Sequence, residues 1–438
     1  MGLGLYIIGH RKAKGLLRIS PSKETLMKNI ENFFINIDDT IWKRLIRIIK
    51  SEKLEIFIHP AEEPVEFFFK GEKIVCSAKT SDAGPGYHNY LVDLLIECGK
   101  NCNIEWQWED KIGDIGDETE YYKYQDFEKL QLSMAEWLTA LAKHTAESRN
   151  GRTHLCTDVN ILKNQALEED YFALSPLGFW NKEWFKKFVN SKNEREIKKY
   201  CKQFFPWWEK EQNGLFWLNV ALTLMWQYIP WHTPINQQEK EDYELVADCL
   251  ERAYKLDSSL KFPWVEWKQI LEFLNEKAKL KWLELKIPKI NSTASIGFFR
   301  RLMRRPLTGY WTIVLPGYFY YERENEGKTV IYWHNDKTVR GSSYTINKLE
   351  SQKFIKQKRK EFKNMLELKK GEIYGFAEVS QTKENGSKYW VLQGHALSDN
   401  SLTITTITFH KRGDKKWAVN TWKSIELDRT PKSGHIDS

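Results

Sequence analysis

The hydrophobic periodicity of the chain changes twice, and this restricts the fold more than any other feature of the sequence. Residues 1–110 mix helical and strand patterns, residues 111–285 have the three- and four-residue apolar spacing of helices, and residues 286–438 are largely strand-like. At 438 residues the chain is also too long for one ordinary core. The sequence therefore predicts an α+β multidomain protein whose three domains follow these three ranges.

The first range predicts a small α/β unit. Short runs rich in β-branched and aromatic residues, bounded by Pro and Gly, indicate an antiparallel sheet; they are LEIFIHP, VEFFFKG and KIVCSAKT. Helical spacing follows in YHNYLVDLLIECGK, and NIEWQWED has the alternation of one further strand.

The second range predicts a helical domain packed through tryptophan. Ten of the nineteen Trp residues fall between Trp180 and Trp282, a density typical of helices that pack through large side chains. The most apolar window, residues 214–231, contains polar residues and a proline, so we expect a buried core helix and no membrane span. Residues 246–274 resemble one degenerate tetratricopeptide-like hairpin, although no repeat occurs at a fixed period.

The third range predicts an antiparallel sheet closed by a short helix. Its strand-like runs include WTIVLPGYF, YWVLQGHAL and LTITTITF, and the final helical segment is WAVNTWKSI, in which Trp417, Ala418 and Trp422 are expected to pack on the sheet. In this order the segments resemble the MOG1/PsbP-like sandwich, also seen in DcrB-type proteins. The resemblance implies a binding or chaperone-like scaffold without shared catalytic residues. The whole chain also resembles bacterial multidomain proteins for which no activity can be named.

Charge is divided unevenly along the chain. From residue 286 onwards there are 28 Lys and Arg against 15 Asp and Glu, a net charge of +13; since the whole chain carries +8, the first 285 residues carry −5. Two clusters concentrate the positive charge, and their members are Arg300, Arg301, Arg304 and Arg305, followed by Lys356, Lys358, Arg359 and Lys360. In a helix the four arginines would form a cationic stripe able to neutralise phosphates, or to pair with acidic protein surfaces.

The segment SDAGPGYH, residues 81–88, joins a strand-like run to a helix-like run. Glycines at such a junction can expose backbone amides to an anion, so Gly84, Gly86, Tyr87 and His88 are candidate ligand-binding residues. However, neither the Lys nor the Ser or Thr of a phosphate loop follows the last glycine, and the spacing does not match a dinucleotide fingerprint. The simpler interpretation is a structural turn in which Pro85 begins the helix and Asp82 caps it.

No pattern in the chain predicts catalysis or a cofactor. The ten histidines form no HxH, HExxH or HxxxH pair, and no GxSxG elbow is present. Six cysteines are scattered through the chain, as in a reducing compartment, and only Cys98 and Cys102 lie close together. Since no second pair has ligand spacing, we expect no metal site and no catalytic residues, and we expect a cytoplasmic protein without a targeting or membrane segment.

These observations favour a non-catalytic protein-binding adaptor. Tryptophan, tyrosine and arginine, which are abundant here, dominate interface hot spots. The architecture suggests a component of a bacterial toxin–immunity or anti-phage defence system. Two alternatives stay open: a nucleic-acid-associated protein that uses the basic clusters, and an enzyme whose site is assembled from distant residues including His88.

Overall fold

The structure is a computed structural model of the 438-residue chain. The residues that it describes are 2–12, 21–37, 39–109, 116–147, 153–154, 173–191, 193–286, 297–362, 364–384, 386–398 and 400–427. The chain forms two compact units, which are residues 1–163 with 168–229 and 233–298, and residues 164–167 with 230–232 and 299–438. The segments in which we expected domain boundaries, near residues 110 and 286, border on or lie outside the described residues.

The first unit begins with a mixture of strands and helices. Its first elements are β1 (Gly4–Arg11), α1 (Lys23–Ile35), α2 (Thr40–Leu45), β2 (Arg47–Lys50), β3 (Leu54–Phe57), β4 (Val65–Lys70), β5 (Lys73–Lys79), α3 (Pro85–Cys102), β6 (Ile104–Gln107), β7 (Gly116–Asp117) and α4 (Tyr121–Tyr124). The strands form one antiparallel sheet in the order β2-β3-β4-β5-β1-β6, and β7 pairs with β1 beside β6. Helices α1 and α3 pack together and bury their apolar residues, among them Phe34 and Tyr87.

The rest of the first unit is mainly helical. Its elements are α5 (Phe127–Glu147), β8 (Thr153–His154), β9 (Ala173–Ser175), β10 (Gly178–Trp180), α6 (Lys182–Val189), α7 (Glu194–Phe204), α8 (Gly214–Gln227), α9 (Gln237–Leu256), α10 (Trp264–Phe273) and α11 (Lys277–Glu284). As predicted, α8 is a buried core helix. No helix in the described ranges is both long and apolar enough to cross a membrane.

Aromatic rings join the two parts of the first unit. The indole of Trp42 on α2 stacks on Tyr90 of α3 at 5.1 Å and lies within about 6 Å of Trp207, Phe216 and Trp217. Ion pairs also connect the parts, among them Arg44–Asp248, Arg47–Asp242 and Arg252–Asp39. The described parts of residues 1–110 and, apart from 230–232, of residues 111–285 therefore belong to one compact unit, and their division into two domains stays a prediction.

The second unit is built on antiparallel strands. Its elements are β11 (Leu302–Pro306), β12 (Trp311–Pro316), β13 (Tyr320–Glu324), β14 (Thr329–His334), β15 (Lys337–Thr345), α12 (Lys348–Glu361), β16 (Leu366–Lys370), β17 (Ile373–Glu384), β18 (Ser387–Ser398), β19 (Ser401–Phe409), α13 (Lys415–Lys423) and β20 (Glu426–Leu427). The main sheet has the order β13-β14-β15-β19-β18-β17-β16, and a smaller sheet has the order β11-β12-β20.

Separate apolar clusters pack against the main sheet of the second unit. The larger contains residues of β12 and α13 together with residues of the sheet, and Trp422 lies so close to Gly394 that a Cβ there would approach its Cδ1 to 2.3 Å. The smaller combines Phe376, Leu397 and Leu402 with Phe354 and Ile355 of α12. The predicted packing of the closing helix is confirmed, as is the fold class: an α/β beginning, a helical middle and a C-terminal sheet domain. The likeness to the MOG1/PsbP-like sandwich stays a prediction.

Candidate protein-binding groove

The junction between β5 and α3 is closed by its own protein contacts. The amide of Gly86 donates to the carbonyl of Trp207 at 3.0 Å, and the amide of Trp207 donates to the carbonyl of Ala83 at 2.8 Å. One carboxylate oxygen of Glu62 accepts from the amides of Asp82 and Ala83. The backbone at this turn is therefore used inside the molecule and does not form an anion cradle.

All four candidate ligand-binding residues, Gly84, Gly86, Tyr87 and His88, are buried. Gly84 has a φ of +108°, and a Cβ on Gly86 would lie 2.0 Å from the indole of Trp207, which explains both glycines. This corrects the ligand-binding interpretation, because the four residues contact other parts of the protein and not solvent. Pro85 begins the helix as predicted, whereas Asp82 pairs with Lys79 at 3.0 Å and does not cap it.

His88 is the centre of a buried chain of hydrogen bonds. Its Nδ1 lies 2.9 Å from the hydroxyl of Thr80, and its Nε2 lies 3.1 Å from both the carboxylate of Asp117 and the hydroxyl of Thr119. The carboxylate of Asp117 also accepts from the backbone amide of Tyr122 at 2.8 Å. Both ring nitrogens of His88 are thus engaged, and the side chains of His88 and Asp117 are 0 % and 2 % exposed.

The electrostatics of Asp117 follow from these contacts. Burial alone would raise the pKa of this carboxyl group, but the hydrogen bond and charge of His88 and the amide of Tyr122 outweigh burial and lower the pKa to about 2. Asp117 is therefore ionised at neutral pH. It holds the loop after β7 against helix α3.

A groove of about 670 Å³ lies beside this chain of hydrogen bonds. Its floor includes a cross-strand row in which Gly116 of β7, Tyr6 of β1, Ser77 of β5 and Glu66 of β4 stand in register. One wall contains Trp108 and Tyr122, whose rings stack in parallel with centroids 4.2 Å apart and an angle of 7°. We call this site the acidic groove, because its lining has six carboxylates against two lysines: Glu63, Glu66, Glu109, Asp117, Glu118 and Glu120, with Lys79 and Lys123.

The His88 chain connects two sides of the acidic groove. At one end, the carbonyl of Leu3 in the floor accepts from the amide of Thr80 at 2.9 Å. At the other end, Asp117 fixes the backbone of Tyr122 in the wall. The turn that the sequence singled out therefore supports the site from below without contacting a ligand.

The first basic cluster lies largely on a strand. Residues 302–306 form strand β11, which pairs with β12, so Arg304 and Arg305 do not belong to the helix in which the four arginines would form one stripe. Strand alternation buries Arg305, whose guanidinium lies over the ring of Tyr332, and leaves Arg304 paired with Glu426. Pairing with the β-rich run at 311–316 overrides the local helical spacing.

The remaining arginines of this cluster are also engaged within the second unit. Arg301 is 2 % exposed, and burial lowers its pKa to about 9. The guanidinium of Arg300 lies over the ring of Trp231 at 4.8 Å. The four arginines therefore do not form one exposed cationic surface.

The second basic cluster lies on helix α12. Lys356 is exposed, Lys358 is half-buried and pairs with Glu361, and Arg359 and Lys360 belong to the same helix.

The two neighbouring cysteines, Cys98 and Cys102, place their sulfurs 4.0 Å apart inside α3. Within the described residues, no group of three or more His, Cys, Asp and Glu is arranged to hold a metal ion.

Comparisons with known proteins add little to this description. No family model matches the chain, and no curated protein matches it. A solved structure from Bacteroides thetaiotaomicron VPI-5482 is similar over 27 % of this chain, with 17 % sequence identity and a TM-score of 0.25. The match spans 46 % of that protein's chain, and a likeness at this level carries no argument about function.

Proposed function

We propose that this chain is a non-catalytic protein-binding adaptor that receives its partner in the acidic groove. The observation that carries the proposal is the groove itself: a concave site with a rigid aromatic wall and converging carboxylates. Its volume of about 670 Å³ lies in the range of about 300–1,000 Å³ found for small-molecule and cofactor sites. Aromatic side chains at the edge of such a site are common anchors for protein partners.

The histidine that could have served an enzyme instead supports this proposal. His88 meets a carboxylate and two hydroxyls, the geometry of an acid–base relay, but neither His88 nor Thr80 has any exposed surface. A general base must reach the proton that it removes. His88 and Asp117 are therefore better suited to holding the wall of the groove than to acid–base catalysis.

The setting is also part of the proposal. We place the adaptor in the cytoplasm, because the five described cysteines are free and buried, as thiols are in a reducing compartment. A bacterial toxin–immunity or anti-phage defence system is the context that the domain architecture suggests.

The test compares two triple variants in the host bacterium. In the groove variant, Glu63, Glu109 and Glu120 become Gln; their side chains are 66 %, 75 % and 55 % exposed, so the fold should tolerate the change. The control variant replaces three similarly exposed glutamates that also pair with lysine, namely Glu183, Glu194 and Glu326.

Cross-linking and quantitative mass spectrometry then identify co-purifying proteins. We expect at least one protein to be recovered with the wild type and the control but lost with the groove variant. Equal recovery with all three proteins would contradict the proposal. If nucleic acid co-purifies instead, and is lost when the exposed Lys353 and Lys356 of α12 become Gln, the nucleic-acid-associated alternative would replace it.

A further inference from the structure

We infer that the partner enters the acidic groove with an arginine-rich peptide segment. This inference rests on the proposed function and names the chemistry of the partner. It is carried by three properties of the groove: the sign of its charge, the aromatic platform in its wall, and the way in which that wall is fixed.

The charge of the groove selects a cationic segment. Its lining has five glutamates and the buried Asp117 against Lys79 and Lys123. Two further lysines, Lys53 and Lys129, pair with Glu66 and Glu120. Carboxylates still outnumber lysines by six to four, which favours a cationic segment over an acidic one. The contacts between the two lining lysines and the exposed glutamates are long: the nitrogen of Lys79, which pairs with Asp82 at 3.0 Å, lies 3.7 Å from Glu63, and that of Lys123 lies 3.4 Å from Glu109. Such exposed ion pairs contribute little to stability, so an incoming cation can exchange with them.

The aromatic wall favours arginine over lysine. Tyr122 is 37 % exposed, and its ring stacks on Trp108. A planar guanidinium stacks on such a ring and at the same time donates two parallel hydrogen bonds to a carboxylate. The ammonium group of lysine is also attracted to the ring, but as a point charge it cannot stack on the ring or donate two parallel hydrogen bonds to one carboxylate.

The wall is ordered before any ligand arrives. The amide of Tyr122 is fixed by Asp117, and Asp117 is fixed by His88. A preorganised platform lowers the entropic cost of binding.

The experiment measures binding of fluorescein-labelled peptides to the full chain by anisotropy. Three peptides alternate glycine with arginine, lysine or glutamate. We expect the arginine peptide to bind about threefold more tightly than the lysine peptide, and the glutamate peptide not to bind. Equal binding of the arginine and glutamate peptides would overturn the inference.

Variants then locate the bound peptide. We expect the groove variant with Glu63, Glu109 and Glu120 changed to Gln to bind the arginine peptide about tenfold more weakly. Tyr122→Ala should weaken it about threefold, whereas Tyr122→Phe and the control triple variant should bind as the wild type does. Unchanged binding by either the groove variant or Tyr122→Ala would overturn the inference.

The outcomes for the two proposals are separable. If the arginine peptide does not bind but a host protein is still lost with the groove variant, the groove binds a partner of other chemistry. The inference then fails while the proposed function stands. If neither the peptide nor a host protein depends on the groove, both fail.

Discussion

The two units bury a histidine in opposite ways. In the first unit, His88 is hydrogen bonded at both ring nitrogens, and the chain that it forms fixes the wall of the acidic groove. In the second unit, His395 lies among Phe354, Phe362 and Phe376, and its Nδ1 has no hydrogen-bond partner in the part of the chain described. His88, which has partners at both nitrogens, holds the loop after β7 in place. His395, whose Nδ1 lacks a partner, makes the stability of the second unit sensitive to pH.

The largest effect is expected when the His88 chain is broken. Asp117→Ala leaves His88 and two backbone amides without their acceptor in the interior, so we expect a loss of about 3 kcal/mol in the free energy of unfolding. Urea unfolding followed by tryptophan fluorescence measures it. Asp414→Ala, which removes a more exposed pair with Lys337, should cost less than about 1 kcal/mol. A similar small loss for both variants would contradict the role given to His88.

His395 should make the second unit less stable in mild acid. Burial lowers its pKa to about 4 from 6.5, with nearby Lys358 acting in the same direction and Glu361 opposing it. Between these pH values the unfolded chain binds a proton that the folded chain does not. Stability should therefore fall as the pH drops from about 6.5 towards 4, by up to about 3 kcal/mol.

Comparison with His395→Phe isolates this effect. Thermal unfolding between pH 7 and 4.5 should show a smaller loss of stability for the variant than for the wild type. Some loss remains in the variant, because the buried His59, whose pKa is also lowered, is present in both proteins. His410→Phe, at an exposed position, is the control. If His395→Phe loses as much stability as the wild type between pH 7 and 4.5, His395 is not the cause of the loss.

Asp117 behaves differently. Its lowered pKa contributes about 2 kcal/mol to the free energy of unfolding, and this contribution persists down to about pH 4 and is lost only between pH 4 and 2.

The glycines of the junction between β5 and α3 test the close packing beneath the groove. In Gly86→Ala the new Cβ meets the indole of Trp207 and the backbone of Glu209, so we expect a loss of about 2 kcal/mol in urea unfolding. Gly413→Ala is the matched control, because its Cβ would point into open space at an ordinary φ. If Gly86→Ala is as stable as this control, the junction is looser than described.

The smallest effect separates partnered from unpartnered tyrosines in the first unit. The hydroxyl of Tyr121 donates to Asn89 at 2.5 Å, so Tyr121→Phe should cost about 1 kcal/mol. The hydroxyl of Tyr87 is buried without a partner among the described residues, so Tyr87→Phe should be neutral or slightly stabilising. Denaturant midpoints of the two variants measure the difference, and a larger loss for Tyr87→Phe would show that its hydroxyl has a partner.

The sequence was sufficient for elements with strong local patterns. Helix α8, the turn at Gly84 and Pro85, and the packing of Trp422 on the sheet all follow from periodicity or turn chemistry. The spacing of the arginines at 300–305 fits a helix, whereas pairing with β12 makes residues 302–306 a strand. Local spacing contains no information about the partner strand.

The groove could not be predicted from local patterns. Only strand register brings together Tyr6, Ser77 and Glu66. Tyr122 lines the same groove because its amide is held by Asp117, which in turn bonds to His88, 29 positions earlier in the sequence. The alternation in NIEWQWED marked Trp108 as a candidate for one face of a strand, but nothing near it indicates that Tyr122 stacks on it. Long-range register and buried polar contacts decide the site.

The most direct test of the account is a hydrogen-exchange footprint of the full chain with the protein recovered from the host. If the acidic groove receives that partner, amide exchange should slow in residues 2–6 and 116–123 and remain unchanged in helix α12. Protection confined to α12, or a stable complex with no protection around the groove, would contradict the claim that this protein acts through the surface that His88 supports.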